Sequence, residues 1–347
     1  MKKIPPLVSF IVGFAAVALT QALAQPSPDF SIQVLNVFDY PGTGNQTRPQ
    51  KISDVGDVAG IFVDASGASR GFIMFNNGNF SMPMVDPNDA GNLTEARGIN
   101  SSRLVCGDYL DSTGAFEGFF FQNNVFTNYA PEPTFTVVLG VNNAGDFCGS
   151  EIPSNTGIQS AFLNIGGVLT DFVVTDATAT LAYSLNKNNQ SCGYYIDSSG
   201  VTHGFWRDKN GAIHDSIDPV GSTGTILFGN TVFRIAQTRR IDFNLMVGRY
   251  TDANGATHGL LFRPPIHRGS PPLFVVYDFP GATFTSLNGI NERGVVVGRY
   301  TDPSTGIDHG ILAKLVRGSA GVMLPLAPPS PPAQASPQRA VVTEPAY

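Results

Sequence analysis

The 347-residue chain sets 21 Lys and Arg against 27 Asp and Glu, a formal net charge of −6, with 42% hydrophobic and only 14% charged residues. That balance provides for a core and excludes the basic runs that nucleic acid or an anionic membrane surface would need as partners. The 25 Phe, 38 Gly and 25 Pro suit short strands and tight turns better than helices, which want Ala, Leu, Glu and Lys.

Residues 1–24 read as an export signal: Lys2 and Lys3, an apolar run from Leu7 to Leu19, then Ala22-Leu23-Ala24 before Gln25 as a small-residue cleavage site. The apolar run is shorter than the roughly 20 residues of a comfortable span, so no membrane span is expected after cleavage. A secreted or periplasmic location follows. Residues 25–326 read as one repeat domain, and 327–347, which include PPSPPAQASPQ, as an extended disordered tail.

Within the domain a short phrase recurs six times. Its last copy is GINERGVVVGRYTDPSTGIDHGILAKL, Gly289 to Leu315, and its landmark Gly298 has counterparts at Gly60, Gly107, Gly149, Gly193 and Gly248. A second landmark, Gly310, recurs as Gly71, Gly118, Gly204 and Gly259, with Ala161 standing in once. Repetition at this period marks an array of supersecondary units, none of which buries its apolar face alone.

Two turns punctuate each copy. The first begins at Ser53, Asn142, Asn186 or Asn291, and the second at Asp64, Asp111, Asp197, Asp252 or Asp302. Asp or Asn bonds back to its own backbone there, and the following Gly accepts the left-handed conformation of a short hairpin loop. The segment between the turns, Val295 to Thr301 in the last copy, reads as a strand. Another follows the Asp turn, as in His203 to Arg207, and a fourth precedes the phrase, as in Phe274 to Asp278. The fold class is therefore all-β, a β-propeller of about six four-stranded antiparallel blades; the alternative is a β-solenoid, which lacks two hairpins per repeat. Two copies are irregular: the third, at Ser150-Glu151-Ile152-Pro153, and the fifth, with an insertion through Asn230 to Asp242 that reads as a solvated loop around Arg239-Arg240.

The phrase resembles the extracellular HAF-repeat family of bacterial proteins over roughly residues 36 to 315, most closely at Gly289-Ile290-Asn291 with His309-Gly310, at His203-Gly204-Phe205, and at Gly98-Ile99-Asn100 with Gly118-Phe119. Arg70, Glu117 and Ser160 depart from it where the pattern has His, and the GIN turn is lost from the fifth copy. The resemblance implies a secreted repeat protein and brings no catalytic residues.

Cys106, Cys148 and Cys192 each precede a landmark glycine where other copies have Ala59, Val247 or Val297, so they read as small buried apolar residues and not as a disulfide or metal set. His203, His258 and His309 share one slot with Arg70, Glu117 and Ser160, which points to a hydrogen-bonding role at a strand edge and not to metal. Each Asp turn offers too few oxygens for calcium, and no nucleophile elbow, phosphate loop or zinc-binding helix is present. No cofactor, metal or catalytic residue is assigned. Aromatic residues such as Phe119 to Phe121, Tyr194, Tyr195, Trp206, Tyr250 and Tyr300 read first as core. Exposed members would suit stacking on carbohydrate.

The expected function is a binding or interaction module for an extracellular polysaccharide or protein. The alternatives are a carbohydrate-active hydrolase or lyase on a propeller scaffold and a structural envelope or matrix protein. The enzyme reading requires two of Glu95, Glu132, Glu151, Asp242 and Glu292 to converge in a pocket.

Overall fold

Each landmark glycine of the first series lies opposite a β-bulge. In the second blade, Ala96 pairs with Gly107 and Gly98 with Cys106, leaving Arg97 as the extra residue. The same offset leaves Gln50, Leu139, Tyr183, Phe228 and Asn288 unpaired in the other innermost strands. At the bulge the inner strand's carbonyl turns toward its neighbour: a Cβ on Gly107 would lie 2.0 Å from Glu95 O, and on Gly193 1.8 Å from Leu181 O. Glycine is the residue that fits.

These bulged pairs build the sheets of a computed structural model, which describes residues 30–42, 46–132, 134–235, 241–266 and 269–317. The expected signal, its cleavage site, the tail and Arg239-Arg240 lie outside the described residues. No helix occurs among those described, so none is long and apolar enough to cross a membrane.

The sheets form a six-bladed β-propeller of antiparallel strands. From the inside out, blade two consists of Thr94–Ile99, Val105–Leu110, Phe116–Gln122 and Val125–Tyr129; blade three of Thr136–Val141, Phe147–Glu151, Ser160–Ile165 and Val168–Phe172; blade four of Ala179–Leu185, Ser191–Ile196, Thr202–Arg207 and Ile213–His214. Blade five comprises Ser222–Ile235, Ile241–Asp252, Thr257–Arg263 and Leu273–Tyr277. Blade six contains Thr285–Ile290, Val295–Thr301 and Asp308–Arg317, and its outer strand is Phe30–Phe38 from the other end of the chain. Blade one has Gln46–Ile52, Val58–Val63 and Ser69–Met74. Its outer position is held only by isolated bridges, Gly71 to Met84 and Met74 to Phe80. Pro83 lies between those contacts and cannot donate to a ladder.

The strand that precedes each phrase thus completes the preceding blade, so the unit of packing is shifted one strand from the unit of sequence. Pairing of Phe30–Phe38 with Asp308–Arg317 closes the ring and leaves no blade without its neighbour.

The core is divided among the blade interfaces. One cluster joins blades one and two through Ala59, Ile73, Ala96 and Phe119, and another joins blades five and six through Val247, Leu261, Leu287 and Ile311. The cysteines occupy the same interface slot: Cys106 between blades two and three, Cys148 between three and four, Cys192 between four and five. All three are free and fully buried.

The insertion of the fifth copy is a hairpin along its flanks and not a loop from Asn230 onward, and its tip at Arg239-Arg240 lies outside the described residues. Its flanks continue the hairpin, Ser222–Ile235 against Ile241–Asp252, and Phe233 packs edge-on against Phe30 with ring centroids 5.9 Å apart. Phe233 packs partly buried against the cluster that joins blades five and six.

Candidate functional site

The histidine slot builds clamps on one face of the ring. His203 Nδ1 lies 2.7 Å from Asp218 Oδ2 and its Nε2 3.4 Å from Asp197 Oδ2, so the imidazole ties the Asp turn to the link that enters the next blade. His258 repeats this with Asp278 at 2.8 Å and Asp252 at 3.5 Å, and His309 with Asp39 at 2.9 Å. Each ring stacks on the tyrosine across the strand pair: Tyr195, Tyr250 and Tyr300. Burial lowers the His203 pKa, but the Asp218 and Asp197 carboxylates outweigh it and the net shift is upward. The histidines sit in separate blades and converge on no common point.

The bulged residues meet around the axis. Arg97 is buried between Glu95 and Asp108, bonding Asp108 at 2.9 Å through Nε. Tyr183 packs edge-on to Phe228 at 5.1 Å, and Asn288 Nδ2 donates to Pro49 O at 2.7 Å. Toward the opposite face the first turns form a chain of amides: Asn100 Nδ2 donates to Asn142 O, Asn142 Nδ2 to Asn186 O, and Asn291 Nδ2 to Ser53 O. Two contacts cross this mouth, Asn143 to Asp54 at 2.8 Å and Lys187 to Glu292 at 2.6 Å. Below them is a cavity of about 80 Å³, room for a few waters. Lys51 lines it, donating to Phe228 O, and burial brings its pKa down to about 8.

Of the five carboxylates expected to matter for hydrolysis, Glu95 is committed to Arg97 and Glu292 to Lys187. The side chain of Asp242 lies outside the described residues. Glu132 and Glu151 are electrostatic neighbours, together with Asp171. Glu151 is 2% exposed; burial, then Asp171 and Glu132, push its pKa up to about 7. Its Oε2 meets no donor among the described residues, and the neighbouring Asp171 carboxyl favours the protonated form.

A wide opening lies between the outer parts of blades four and five. Blade four's outer strand has two residues, Ile213–His214, because Ser216 takes a positive φ of 52° and turns the chain out of the sheet. The shortened strand exposes a groove of about 840 Å³. One wall is Trp206 and His214, stacked at 4.2 Å and 8°, and the other is Phe262 and Phe274, 5.0 Å apart. Asp208, Asp215 and Asp218 add carboxylates to the lining. Burial raises the Asp208 carboxyl, but the Ala212 and Asn210 N–H groups and His214 hold it below its ordinary value. Asp218 Oδ1 is buried with no donor among the described residues.

The aromatic residues named from sequence divide accordingly. Phe119 and Tyr194 are fully buried core, whereas Trp206 reaches the groove. His214, Phe262, Phe274 and the three aspartates were not anticipated; the available signal was the missing apolar alternation after Asp208, where blades two, three, five and six carry longer outer strands.

No protein-family model matches the chain, and no curated protein does. Among solved structures, the chain is similar to a variant of the lectin of Aleuria aurantia in complex with Fucα1-6GlcNAc, with a TM-score of 0.49 and 8% identity over 79% of this chain and 95% of that one. It is also similar to a variant of fructan 1-exohydrolase IIa from Cichorium intybus in complex with 1-kestose, with a TM-score of 0.39 and 10% identity over 83% of this chain and 58% of the other. At these scores and identities neither likeness assigns a ligand to this chain.

Proposed function

We propose that the protein is an exported binding module that holds an extracellular polysaccharide in the groove between blades four and five. The observation that carries this reading is the open groove of about 840 Å³ with Trp206 stacked on His214 beside aspartate carboxylates. Flat aromatic walls pack against the C–H faces of sugar rings, and carboxylates accept their hydroxyl protons. The export signal read over residues 1–24 and the resemblance of the phrase to HAF-repeat proteins belong to the same proposal.

Affinity electrophoresis of the full chain through gels containing neutral, acidic or basic polysaccharides tests it. Retardation by at least one polymer is expected, and Trp206→Ala should lose it while still folding cooperatively, with a lower Tm because Trp206 also packs on the core. Migration unaffected by every polymer, or retardation unchanged by Trp206→Ala, would overturn the reading.

A further inference from the structure

We propose that the groove between blades four and five selects a polymer of protonated amino sugars, a polyglucosamine, over neutral and uronate polymers. The inference rests on the saccharide reading above and specifies its ligand. Asp208, Asp215 and Asp218 lie along the groove, and no Lys or Arg is among the described residues that line it. Asp215 is exposed at the rim. Asp218 uses Oδ2 to hold His203, and its Oδ1 is buried without a donor among the described residues. An ammonium brings a full opposite charge to its hydrogen bond with a carboxylate, which a neutral hydroxyl does not, and it is attracted to the face of an indole ring such as Trp206.

The same carboxylates repel a uronate. A neutral sugar gains only hydroxyl contacts there. The net charge of −6 draws a polycation toward the whole surface and adds to the discrimination at low salt.

Isothermal titration of the full chain with oligomers of glucosamine, of N-acetylglucosamine and of galacturonate, equal in length and at a pH where the amine is charged, tests the selection. The glucosamine oligomer is expected to bind at least roughly tenfold more tightly than its acetylated counterpart and to weaken with added salt. Asp215→Asn should remove most of that preference. If the acetylated or uronate oligomer binds as tightly as the amine, and Trp206→Ala abolishes that binding, amine selection is wrong and the saccharide reading stands. If none of the three oligomers binds, amine selection is again overturned; absence of retardation by all polysaccharides in the gel assay would also remove the reading beneath it.

Discussion

His309 Nδ1 lies 2.9 Å from Asp39 Oδ1 although 270 positions separate the two residues. The contact fastens the turn after the closing strand Phe30–Phe38 to the third strand of blade six, alongside a ladder from Phe30 with Arg317 to Phe38 with Gly310. Phe30 and Phe38 bury beneath that ladder, at 3% and 8% exposure. Most of the closure energy is therefore in the ladder and the two phenyl rings, since a partly exposed His–Asp pair contributes at most about 1 kcal/mol.

Deleting residues 1–39 should therefore expose the outer face of Asp308–Arg317 and unfold the ring as a unit, whereas Asp39→Asn should cost less than about 1 kcal/mol. Thermal unfolding followed by circular dichroism separates the two. A truncated chain that melts like the parent would show that closure does not depend on this strand.

Gly107 and Gly114 both belong to the repeated phrase and should respond differently to alanine. A Cβ on Gly107 would meet Glu95 O at 2.0 Å and Phe119 Cζ at 2.7 Å, so backbone and core must shift together. Gly107→Ala should cost about 3 kcal/mol or more. Gly114 has a φ of 84° with nothing near its missing side chain, so Gly114→Ala should cost only the backbone strain, about 1 kcal/mol. Urea denaturation gives both values, and equal losses would contradict the bulge explanation.

The recurrent glycines made the inner architecture legible because each repetition repeats one steric problem, a carbonyl turned into the space of a side chain. The segment Val295 to Thr301 was legible to the residue for the same reason: turns with local backbone bonds bound it on both sides. Strand ownership was not legible. Whether Phe274 pairs forward or backward depends on ring closure, a contact between distant segments that leaves no local trace. The groove was hidden too, since Trp206 and Phe262 come from different copies and meet only because the strand at Ile213–His214 ends early.

His203 should make stability depend on pH. Burial opposes its charge, but Asp218 and Asp197 raise its pKa above the ordinary 6.5. A raised histidine contributes its full stabilisation below its unfolded pKa and loses it as pH rises through the folded one. His203→Asn should therefore destabilise by about 0.5 to 1 kcal/mol near pH 5.5 and by less near pH 8. Chemical unfolding at the two values checks the sign, and a larger loss at pH 8 would refute the clamp.

Glu151 should act in the same direction, through a carboxyl instead of an imidazole. It occupies the place held by Tyr109, Tyr195, Tyr250 and Tyr300 in other blades, paired with Ser160 where three blades have histidine. The carboxyl that replaces the ring is buried beside Asp171 and Glu132, and its pKa rises to about 7. Between about pH 4.5 and 7 the folded chain therefore holds a proton that the unfolded chain has released, and stability falls as pH rises through that window. Glu151→Gln keeps the shape, removes the charge and can donate to Asp171. It should match the parent near pH 4.5 and exceed it by about 2 kcal/mol near pH 8. Unfolding free energies at both pH values measure the difference; a gap that does not widen with pH would mean that Glu151 is not protonated in the folded chain, and that the contact with Asp171 is made in another way.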